Sequence, residues 1–592
     1  KDISLDDAEK TVLRWGSIIG RVGLLNAIVA SVNSEVISKL AAENDVQWIE
    51  EIEPPGIDDN DGIRAAIGVN TVHAAPYNLL GSGVVIGQFE SNVPDTTHFD
   101  LSGRSSAPLG GSVGDHATHV AGTAAGNGSL SASVGGSPAQ WRGVAPNSTI
   151  TSFVRPFPYI IVNFENLYNQ SINTYNIDIS TNSFSATTGG NYNAVSQFYD
   201  LVVIGNITRP IMVTVSAGNE GRGGYRTLRD TNVGKNVIVV GGTDANNHAI
   251  GNFSGKGPTA DNRTKPDLVA PGCQNNTAYE ALRLTGNRTA AFTNPNGSTY
   301  STVANQSIST TAEFDCDGTG DDFCYPYAGE CGTSMSTPAL AGSLALLLEL
   351  YRKTHENEPL PSTLKAVLVQ TALDLDRDGS GFSSNDGPDY INGWGLVNVT
   401  RAVELIMNDS EEVPRIIVVN ISEPGEVDKH YLLVDENTTE LKVSLVWDDV
   451  PGVPNDGLKE LQNDIDLFLA DPSGNVYMPW VLNPSVPNQA ATTGVDDRNN
   501  VEQVFVFDAA GIEQGVWRVI INGTEIPQPA QVYSLTASHG FTTMPAHAIV
   551  MLLDTSGSMG WDPNGNSGVA ENQTRLYYAK GASYYFLDML NL

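Results

Sequence analysis

The sequence predicts an α/β fold built on a doubly wound parallel sheet, and two features support this prediction. The first is a set of nearly continuous apolar segments, GVVIGQF at 83–89, IMVTVSAGN at 211–219 and NVIVVGGT at 236–243. Runs of this kind are typical of parallel strands that are buried on both faces. The second is PALAGSLALLLELY at 338–351, which is apolar almost all round and predicts a central buried helix. Strand, glycine turn and helix alternate over 60–407, which indicates one α/β domain.

Smaller units flank this domain. Residues 1–55 combine two alternating segments, LNAIVASV and VQWIEEI, with the amphipathic SEVISKLAAEN, and predict a small α+β unit before the turn-rich PPGIDDNDG. After Pro414, short alternating strands stand between Gly, Asp and Pro turns: LKVSLVWDD, DIDLFLADPSGNVYM, VEQVFVFDAA, GVWRVIING and VYSLTASHG. They predict an all-β jelly roll over 415–540. A further α/β unit begins within 545–592, at HAIVMLLDTSGSMG.

Composition and charge exclude some classes of partner. The chain has 592 residues, enough for about three or four domains. Lys and Arg number 32 against 67 Asp and Glu, so the formal net charge is −35. The negative field of such a chain opposes binding to nucleic acid and to anionic lipid. It suits a secreted or surface protein, or one that collects divalent cations. The apolar stretch SIIGRVGLLNAIVASV is interrupted by Arg21 and Asn26, so we expect no membrane span.

The four cysteines, Cys273, Cys316, Cys324 and Cys331, allow three disulfide pairings. None of them forms a CxxC pair and no histidines cluster near them, which argues against zinc. Cys316 and Cys324 bracket the acidic loop DGTGDDF, which favours a local disulfide and leaves Cys273 with Cys331. Disulfides imply an oxidising compartment, and two pairs of buried thiols are the alternative.

Catalytic chemistry is indicated by one serine set among small residues. Ser334 lies in ECGTSMSTPALAG directly before the apolar helix, and it needs a base to become a nucleophile. GDHATHVAGTAAG offers two candidates for that base, His116 and His119. Glu90 stands at the end of a buried strand, where it is placed to orient the histidine. The amide of Asn219, in SAGNEG, and the backbone N–H of Ser334 are candidate oxyanion donors.

These motifs resemble those of the subtilisin-like serine peptidases, the subtilases. HATHVAGT is similar to the family's histidine motif, SAGNEG to its oxyanion-asparagine motif and GTSMSTPALAG to its serine motif, in the family's order of acid, His and Ser. The resemblance covers about 60–407. It implies that His116, the first histidine of its motif, is the base. It also implies that a peptide substrate lies as an added strand along TNSFSA at 181–186. The implied substrate-binding residues are Asn182, Ser183, Phe184 and Ser185.

Other segments carry further resemblances. The jelly-roll region resembles that of alkaline subtilases which tend to bind calcium, so the resemblance implies structural Ca²⁺ and no organic cofactor. It also supports the Cys273–Cys331 pairing, because both cysteines lie in family segments near the serine. Residues 1–55 look like an inhibitory propeptide. IVMLLDTSGSM resembles the start of a von Willebrand factor A-type domain, which implies metal ligation by Asp554, Ser556 and Ser558.

The sequence departs from the family pattern at two positions. The family has aspartate where this chain has Glu90, and the extra methylene extends the side chain by about 1.5 Å. Asp95 and Asp100, in the following loop, are possible substitutes. Ala117 replaces the glycine that usually follows the histidine. Separately, DLDRDGSG at 374–381 spaces three aspartates like half a calcium loop but lacks its final glutamate, so a solvated turn is the alternative.

We therefore predict a secreted or cell-surface serine endopeptidase that uses Glu90, His116 and Ser334 and forms an acyl-enzyme. Its expected partners are polypeptide substrates and its own propeptide. One alternative is a weak or inactive subtilase that acts as a surface adhesion protein, for which Glu90 is the only support. A second alternative is esterase or peptide-ligase chemistry on the same residues.

Overall fold

The computed structural model describes residues 5–22, 27–32, 36–43, 46, 60–134, 137–157, 159–184, 188–246, 248–273, 307–310, 327–376, 387–528 and 530–542. Several predictions fall outside these residues and are not addressed by the structure. They concern most of VQWIEEI, Ser185, Cys316, Cys324, Asp378, and the whole of 545–592 with Asp554, Ser556 and Ser558.

The N-terminal unit contains helix α1 (Leu5–Val12), the antiparallel strands β1 (Gly16–Val22) and β2 (Ala27–Val32), and helix α2 (Ile37–Ala41). Strand β2 lies within LNAIVASV and α2 within SEVISKLAAEN, where the alternating and amphipathic patterns stand. Helix α1 packs against both strands.

The central unit follows the predicted alternation of strands and helices. Its elements are, in chain order, α3 (Asn60–Ala66), α4 (Val69–His73), β3 (Val85–Glu90), β4 (Ser105–Ser106), α5 (Asp115–Ala125), β5 (Thr149–Val154), α6 (Ile161–Asn173), β6 (Ile179–Asn182), α7 (Ala194–Val203), β7 (Met212–Ser216), β8 (Ile238–Asp244), β9 (Leu268–Cys273), β10 (Ser307–Thr310), β11 (Tyr327–Glu330), α8 (Thr333–Thr354), α9 (Pro361–Thr371) and α10 (Val399–Met407).

Seven of these strands form one parallel sheet in the order β4-β5-β3-β6-β7-β8-β9. Apolar side chains cover both faces of the sheet. Helices α5 and α8 contribute to the core on one face, and α6 and α7 to the core on the other. The predicted doubly wound parallel sheet is therefore confirmed for the central unit.

The strand order places a site at the carboxyl end of β3. From β3 the chain moves outward to β4 and β5, and then crosses back over β3 to build β6 through β9 on the other side. Ligand sites in open α/β sheets lie where the strand order reverses in this way, outside the carboxyl ends of the strands. Strand β3 ends at Glu90 and the neighbouring β6 ends at Asn182.

The C-terminal unit consists of antiparallel strands. They are β12 (Ile416–Ile421), β13 (Val427–Val434), β14 (Glu440–Trp447), β15 (Asp464–Ala470), β16 (Val476–Tyr477), β17 (Trp480–Val481), β18 (Thr492–Thr493), β19 (Val501–Phe507), β20 (Gly515–Glu525), β21 (Gln531–Ala537) and β22 (Phe541–Thr542). The larger sheets have the orders β12-β21-β14-β19 and β16-β15-β20-β13-β22, and they share a core that includes Trp447 and Trp517. These antiparallel sheets are compatible with the predicted jelly roll.

Among the helices in the described part of the chain, none has both the length and the apolar character needed to cross a bilayer.

Candidate active site

Glu90 and His116 are brought together where strand β3 meets the start of helix α5. Gly114, just before the helix, lies against Asn92, and a Cβ on this glycine would be only 2.7 Å from that of Asn92. This close approach seats the first turn of α5 beside the end of β3. His116 Nδ1 lies 3.2 Å from Glu90 Oε2. The carboxylate side chain is 3% exposed and the imidazole is 43% exposed, so the acid is buried behind an accessible ring.

The second carboxylate oxygen of Glu90 also has a hydrogen-bond partner. Its Oε1 accepts a hydrogen bond of 3.2 Å from the backbone N–H of Ser183, directly after β6. The longer glutamate side chain therefore reaches both the imidazole and the neighbouring strand end. The two alternative acids bond elsewhere: Asp95 accepts from Thr97 and Asp100 accepts from Ser129.

The electrostatics around His116 favour the imidazolium. Burial is the largest influence and lowers the pKa of His116, but the charge of Glu90, its hydrogen bond to the ring and the charge of Glu330 act the other way. Their combined effect raises the pKa of His116 to about 9. Glu330 is the last residue of β11 and is half-buried. The ring can thus act as a base mainly in alkaline solution.

Ser334 stands in the first turn of α8, half-buried, with its Oγ 3.4 Å from the Ser183 carbonyl oxygen. Among the described residues, no hydrogen bond joins this hydroxyl to His116. Catalytic hydrogen bonds are often long before substrate binds, and they tighten in the complex. Ser183 therefore contacts both Glu90 and Ser334 and links the end of β3 to the start of α8.

A proline inside α8 strengthens that connection. In an α-helix, the carbonyl of Ser334 would accept a hydrogen bond from the N–H of residue 338, but Pro338 has none. The unused carbonyl oxygen accepts instead from Ser183 Oγ at 3.0 Å. The helix interruption thus provides a fixed contact between α8 and the end of β6.

Asn219, which follows β7, is oriented by the same helix. Both the backbone N–H and the Oγ1 of Thr333 donate to Asn219 Oδ1 at 3.0 Å. This fixes the oxygen towards the helix and leaves Nδ2 as a donor on the opposite side of the amide. Gly332, with φ of +155°, allows the close approach, because a Cβ there would be 3.2 Å from Nδ2.

A disulfide joins Cys273, at the end of β9, to Cys331, with a Cα–Cα distance of 4.7 Å. The neighbouring Gly332 N–H donates to the Gly272 carbonyl at 2.9 Å. These two links hold the segment before Ser334 against the end of β9, and so fix the start of α8 on the sheet.

The described residues that are implied in substrate binding differ in their burial and in their hydrogen-bond partners. Asn182 is fully buried, and its amide bonds to Tyr168, Tyr199, Ser180 and Thr214, so any contact with substrate would come from its backbone. Ser183 contacts both Ser334 and Glu90, as described above. Phe184 follows directly, and its carbonyl is anchored by Asn232 Nδ2 at 2.9 Å.

His119 and Ala117 are buried in α5. Thr123 Oγ1 lies 3.5 Å from His119 Nδ1, which places that ring inside the domain. The carbonyl of Ala117 accepts from Gln88 Nε2 at 2.7 Å, so the backbone after His116 is bonded to strand β3.

In the part of the chain that the structure describes, no group of three or more His, Cys, Asp or Glu side chains is arranged to hold a metal ion. Within the aspartate-rich turn, Asp374 accepts from the Gly387 N–H. The calcium implied by the resemblance stays a prediction, and no step of the chemistry is derived through it.

Some features of the site were not recognised from the sequence. Glu330 stands four residues before Ser334, but only the fold brings its charge near His116. Thr333 belongs to the serine motif, yet its role in orienting Asn219 depends on two loops meeting. Pro338 was a visible signal, because a proline inside an apolar helix frees the carbonyl four residues earlier.

Comparison with known proteins agrees with this geometry. A sequence model described as "Subtilase family" matches residues 81–395. The chain is 26% identical over 309 residues to the Dictyostelium discoideum serine protease/ABC transporter B family protein tagA, covering 49% of this chain and 15% of that protein. It is 29% identical over 202 residues to the serine protease AprX of Bacillus subtilis, covering 33% and 35%. It is 39% identical over 80 residues to the Arabidopsis thaliana subtilisin-like protease SBT3.1, covering 12% and 10%.

The matches cover only part of each relative, at most 35% of the length of these three proteins. The family match, by contrast, spans more than half of this chain and contains Glu90, His116, Asn219 and Ser334. The chain therefore belongs to the subtilase family.

Proposed function

We propose that this chain is a serine endopeptidase in which Ser334 is the nucleophile, His116 the general base and Glu90 the orienting acid. The observation that carries the proposal is the pair of contacts made by the Glu90 carboxylate, to His116 Nδ1 and to the Ser183 N–H, each at 3.2 Å. Ser183 also contacts Ser334. A continuous series of contacts therefore runs from His116 through Glu90 and Ser183 to the start of α8.

The reaction follows from these positions. His116 Nε2 takes the proton of Ser334 Oγ as the oxygen attacks the carbonyl carbon of a peptide bond. Glu90 fixes the ring with Nδ1–H towards its own carboxylate, and it stabilises the imidazolium that forms. The tetrahedral oxyanion accepts from Asn219 Nδ2 and from the Ser334 backbone N–H at the start of α8. His116 then protonates the leaving amine, and water attacks the acyl-enzyme by the same route in reverse.

The substrate is proposed to bind as an extended strand beside 181–184, where backbone groups near Ser183 lie next to the nucleophile. We also propose that the protein works in an oxidising compartment, as a secreted or surface protein, which the Cys273–Cys331 disulfide supports. The N-terminal unit of α1, β1, β2 and α2 is proposed to act as a propeptide. Structural calcium remains a prediction from the family resemblance.

A serine-directed fluorophosphonate tests the proposed nucleophile. Intact protein is treated at pH 9 and the labelled peptide is identified by mass spectrometry. We expect one phosphonyl group on Ser334, and no label after Ser334→Ala. Ser343→Ala, further along the same helix, is the matched control and should retain labelling. A folded protein that is never labelled would contradict the proposal.

Substrate class is tested by comparing matched amide and ester substrates, with and without an added amine. An endopeptidase should cleave internal amide bonds of an unstructured protein and release two new termini. Ester cleavage alone would indicate an esterase, and transfer to the amine in preference to water would indicate a ligase.

A further inference from the structure

We infer that Arg155 determines specificity at this site, and that it selects a peptide substrate with an acidic side chain close to the scissile bond. The inference rests on the proposed peptidase function and adds a substrate class to it. It comes from a group of aromatic side chains beside the nucleophile, with one cation at its centre.

Arg155 is fixed next to the catalytic acid. It follows strand β5 directly, and its backbone N–H donates to the Glu90 carbonyl at 2.7 Å. Its Nε–H donates to Ser91 Oγ at 3.2 Å. The side chain therefore begins at the same strand end that carries Glu90, and its direction is set by a hydrogen bond to the next residue.

Three aromatic rings surround the guanidinium. Its carbon lies 5.1 Å from the ring centre of Phe184, 5.2 Å from that of Tyr159 and 5.9 Å from that of Phe157. The rings of Tyr159 and Phe184 are stacked on each other with centroids 6.1 Å apart. Stacked rings hold a guanidinium in one plane and displace water from it, which prepares it for a planar anion such as a carboxylate.

The cation is available for a ligand. Among the described residues, only Nε–H of the guanidinium has a hydrogen-bond partner, and no carboxylate lies within ion-pair distance. Nη1 is buried and has no hydrogen-bond partner in the described structure. A guanidinium has five N–H donors and always carries its charge, so both Nη groups remain without a partner among the described residues. Phe157 is 79% exposed, so this side of the aromatic group is open to solvent.

The position relative to Ser334 fits a substrate side chain. Ser183 contacts Ser334, Phe184 is the next residue, and the guanidinium lies against the Phe184 ring. An extended peptide advances about 3.3 Å per residue, so the guanidinium lies within reach of a substrate residue a few positions from the scissile bond. An acidic side chain within that distance of the scissile bond would meet Arg155. The preference is notable on a chain of net charge −35, whose overall field repels acidic peptides.

The test uses pairs of fluorescence-quenched peptides, and the two members of a pair differ only in carrying Glu or Gln at one position. That position is moved in turn through the four residues before and the two residues after the cleavage point. Cleavage is located by mass spectrometry. At one position we expect kcat/KM for Glu to exceed that for Gln by roughly 10- to 100-fold, the range typical of hydrogen bonds to charged groups. The preference should shrink as ionic strength rises.

Variants assign the preference to this side chain. Arg155→Gln should bring the Glu/Gln ratio close to one, and Arg155→Glu should favour Lys over Glu at the same position. Arg401→Gln, which removes an equal charge from the exposed face of α10, should keep the wild-type ratio. A wild-type ratio near one at every position, or a preference that survives in Arg155→Gln, would overturn the inference.

A binding measurement separates this inference from the proposed function. The Ser334→Ala variant is titrated with the same labelled Glu and Gln peptides, and affinity is read by fluorescence anisotropy. Tighter binding of Glu that disappears when Arg155→Gln is added supports the role of Arg155, even if the intact protein neither cleaves peptides nor reacts with a fluorophosphonate. Equal binding of the two peptides overturns it, even if the enzyme is active.

Discussion

The imidazole of His116 is influenced by two carboxylates, Glu90 by direct contact and Glu330 through its charge. Together they outweigh the effect of burial and raise the pKa of His116 to about 9. A base must be deprotonated to accept the Ser334 proton, so activity is present above this pKa and is lost as the pH falls through it. We expect kcat/KM for a neutral peptide to rise up to about pH 9. A profile that levels off near pH 6.5 would contradict this prediction.

Replacing Glu330 tests the cause of that shift. Glu330→Gln removes one of the charges that favour the imidazolium, so the apparent pKa of kcat/KM should fall and activity at pH 7 should rise relative to its own maximum. Glu411→Gln, at an exposed position outside the central unit, should leave the profile unchanged. An unaltered profile in Glu330→Gln would show that the charge of Glu330 does not reach the ring.

The glutamate at position 90 is fitted to this site. Shortening it by one methylene withdraws the carboxylate by about 1.5 Å from His116 Nδ1 and from the Ser183 N–H, both now at 3.2 Å. We therefore expect Glu90→Asp to lower kcat roughly 10- to 100-fold, the cost typical of such a displacement. The measurement is kcat at pH 9, with circular dichroism as the control for folding. A gain in activity would mean that the natural side chain is a poor fit.

At the scale of elements, the start of α8 depends on the Cys273–Cys331 disulfide, which closes a loop between residues 58 positions apart. Loop-closure entropy predicts that Cys273→Ala with Cys331→Ala lowers the free energy of unfolding by about 2–4 kcal/mol. Because Gly332 and Thr333 follow directly, the orientation of Asn219 should also loosen, so kcat should fall more than KM rises. Denaturant unfolding and steady-state kinetics measure the two effects. Unchanged kcat would show that the Gly332–Gly272 hydrogen bond suffices.

How much could be predicted from the sequence differs between elements. Strand β7 lies within the apolar run at 211–219, and β3 and β8 each end one residue beyond the runs at 83–89 and 236–243. Burial on both faces leaves this continuous apolar signature. Helix α8 extends beyond 338–351 in both directions, since its first turn is built from small and polar residues that carry no periodic signal. The antiparallel strand pair β10–β11 has no such pattern and was not predicted.

The residues of the site also differ in how far the sequence alone could predict them. Local motifs pointed to His116, Asn219 and Ser334, because small residues around each of them stand out in the sequence. The contacts of Ser183 with both Glu90 and Ser334 join segments about 90 and 150 residues apart, and the charge of Glu330 acts across the fold. Such contacts depend on the strand order of the sheet, which no single segment encodes.

At the scale of the whole molecule, the α/β unit and the antiparallel unit are joined by buried polar contacts. Lys235, before β8, is fully buried and donates to Asp449 Oδ2 at 2.5 Å and to the carbonyls of Val450 and Glu460 at 2.5 and 2.6 Å. Helix α9 packs on β14 and β21 of the antiparallel unit. The two units therefore share an interior, and we expect them to unfold in one transition.

The Lys235–Asp449 pair tests that coupling, because a buried charge that loses its partner is costly. Lys235→Met leaves Asp449 uncompensated and should lower the free energy of unfolding by about 3–5 kcal/mol. It should also separate the unfolding of the two units. Adding Asp449→Asn removes the stranded charge and keeps one oxygen, which can accept from the N–H of either Gln462 or Asn463, so the double variant should be more stable than the sum of the single changes. Lys429→Met, at an exposed position on β13, serves as the control. Additive losses, or one transition in every variant, would mean that apolar packing around α9 alone holds the units together.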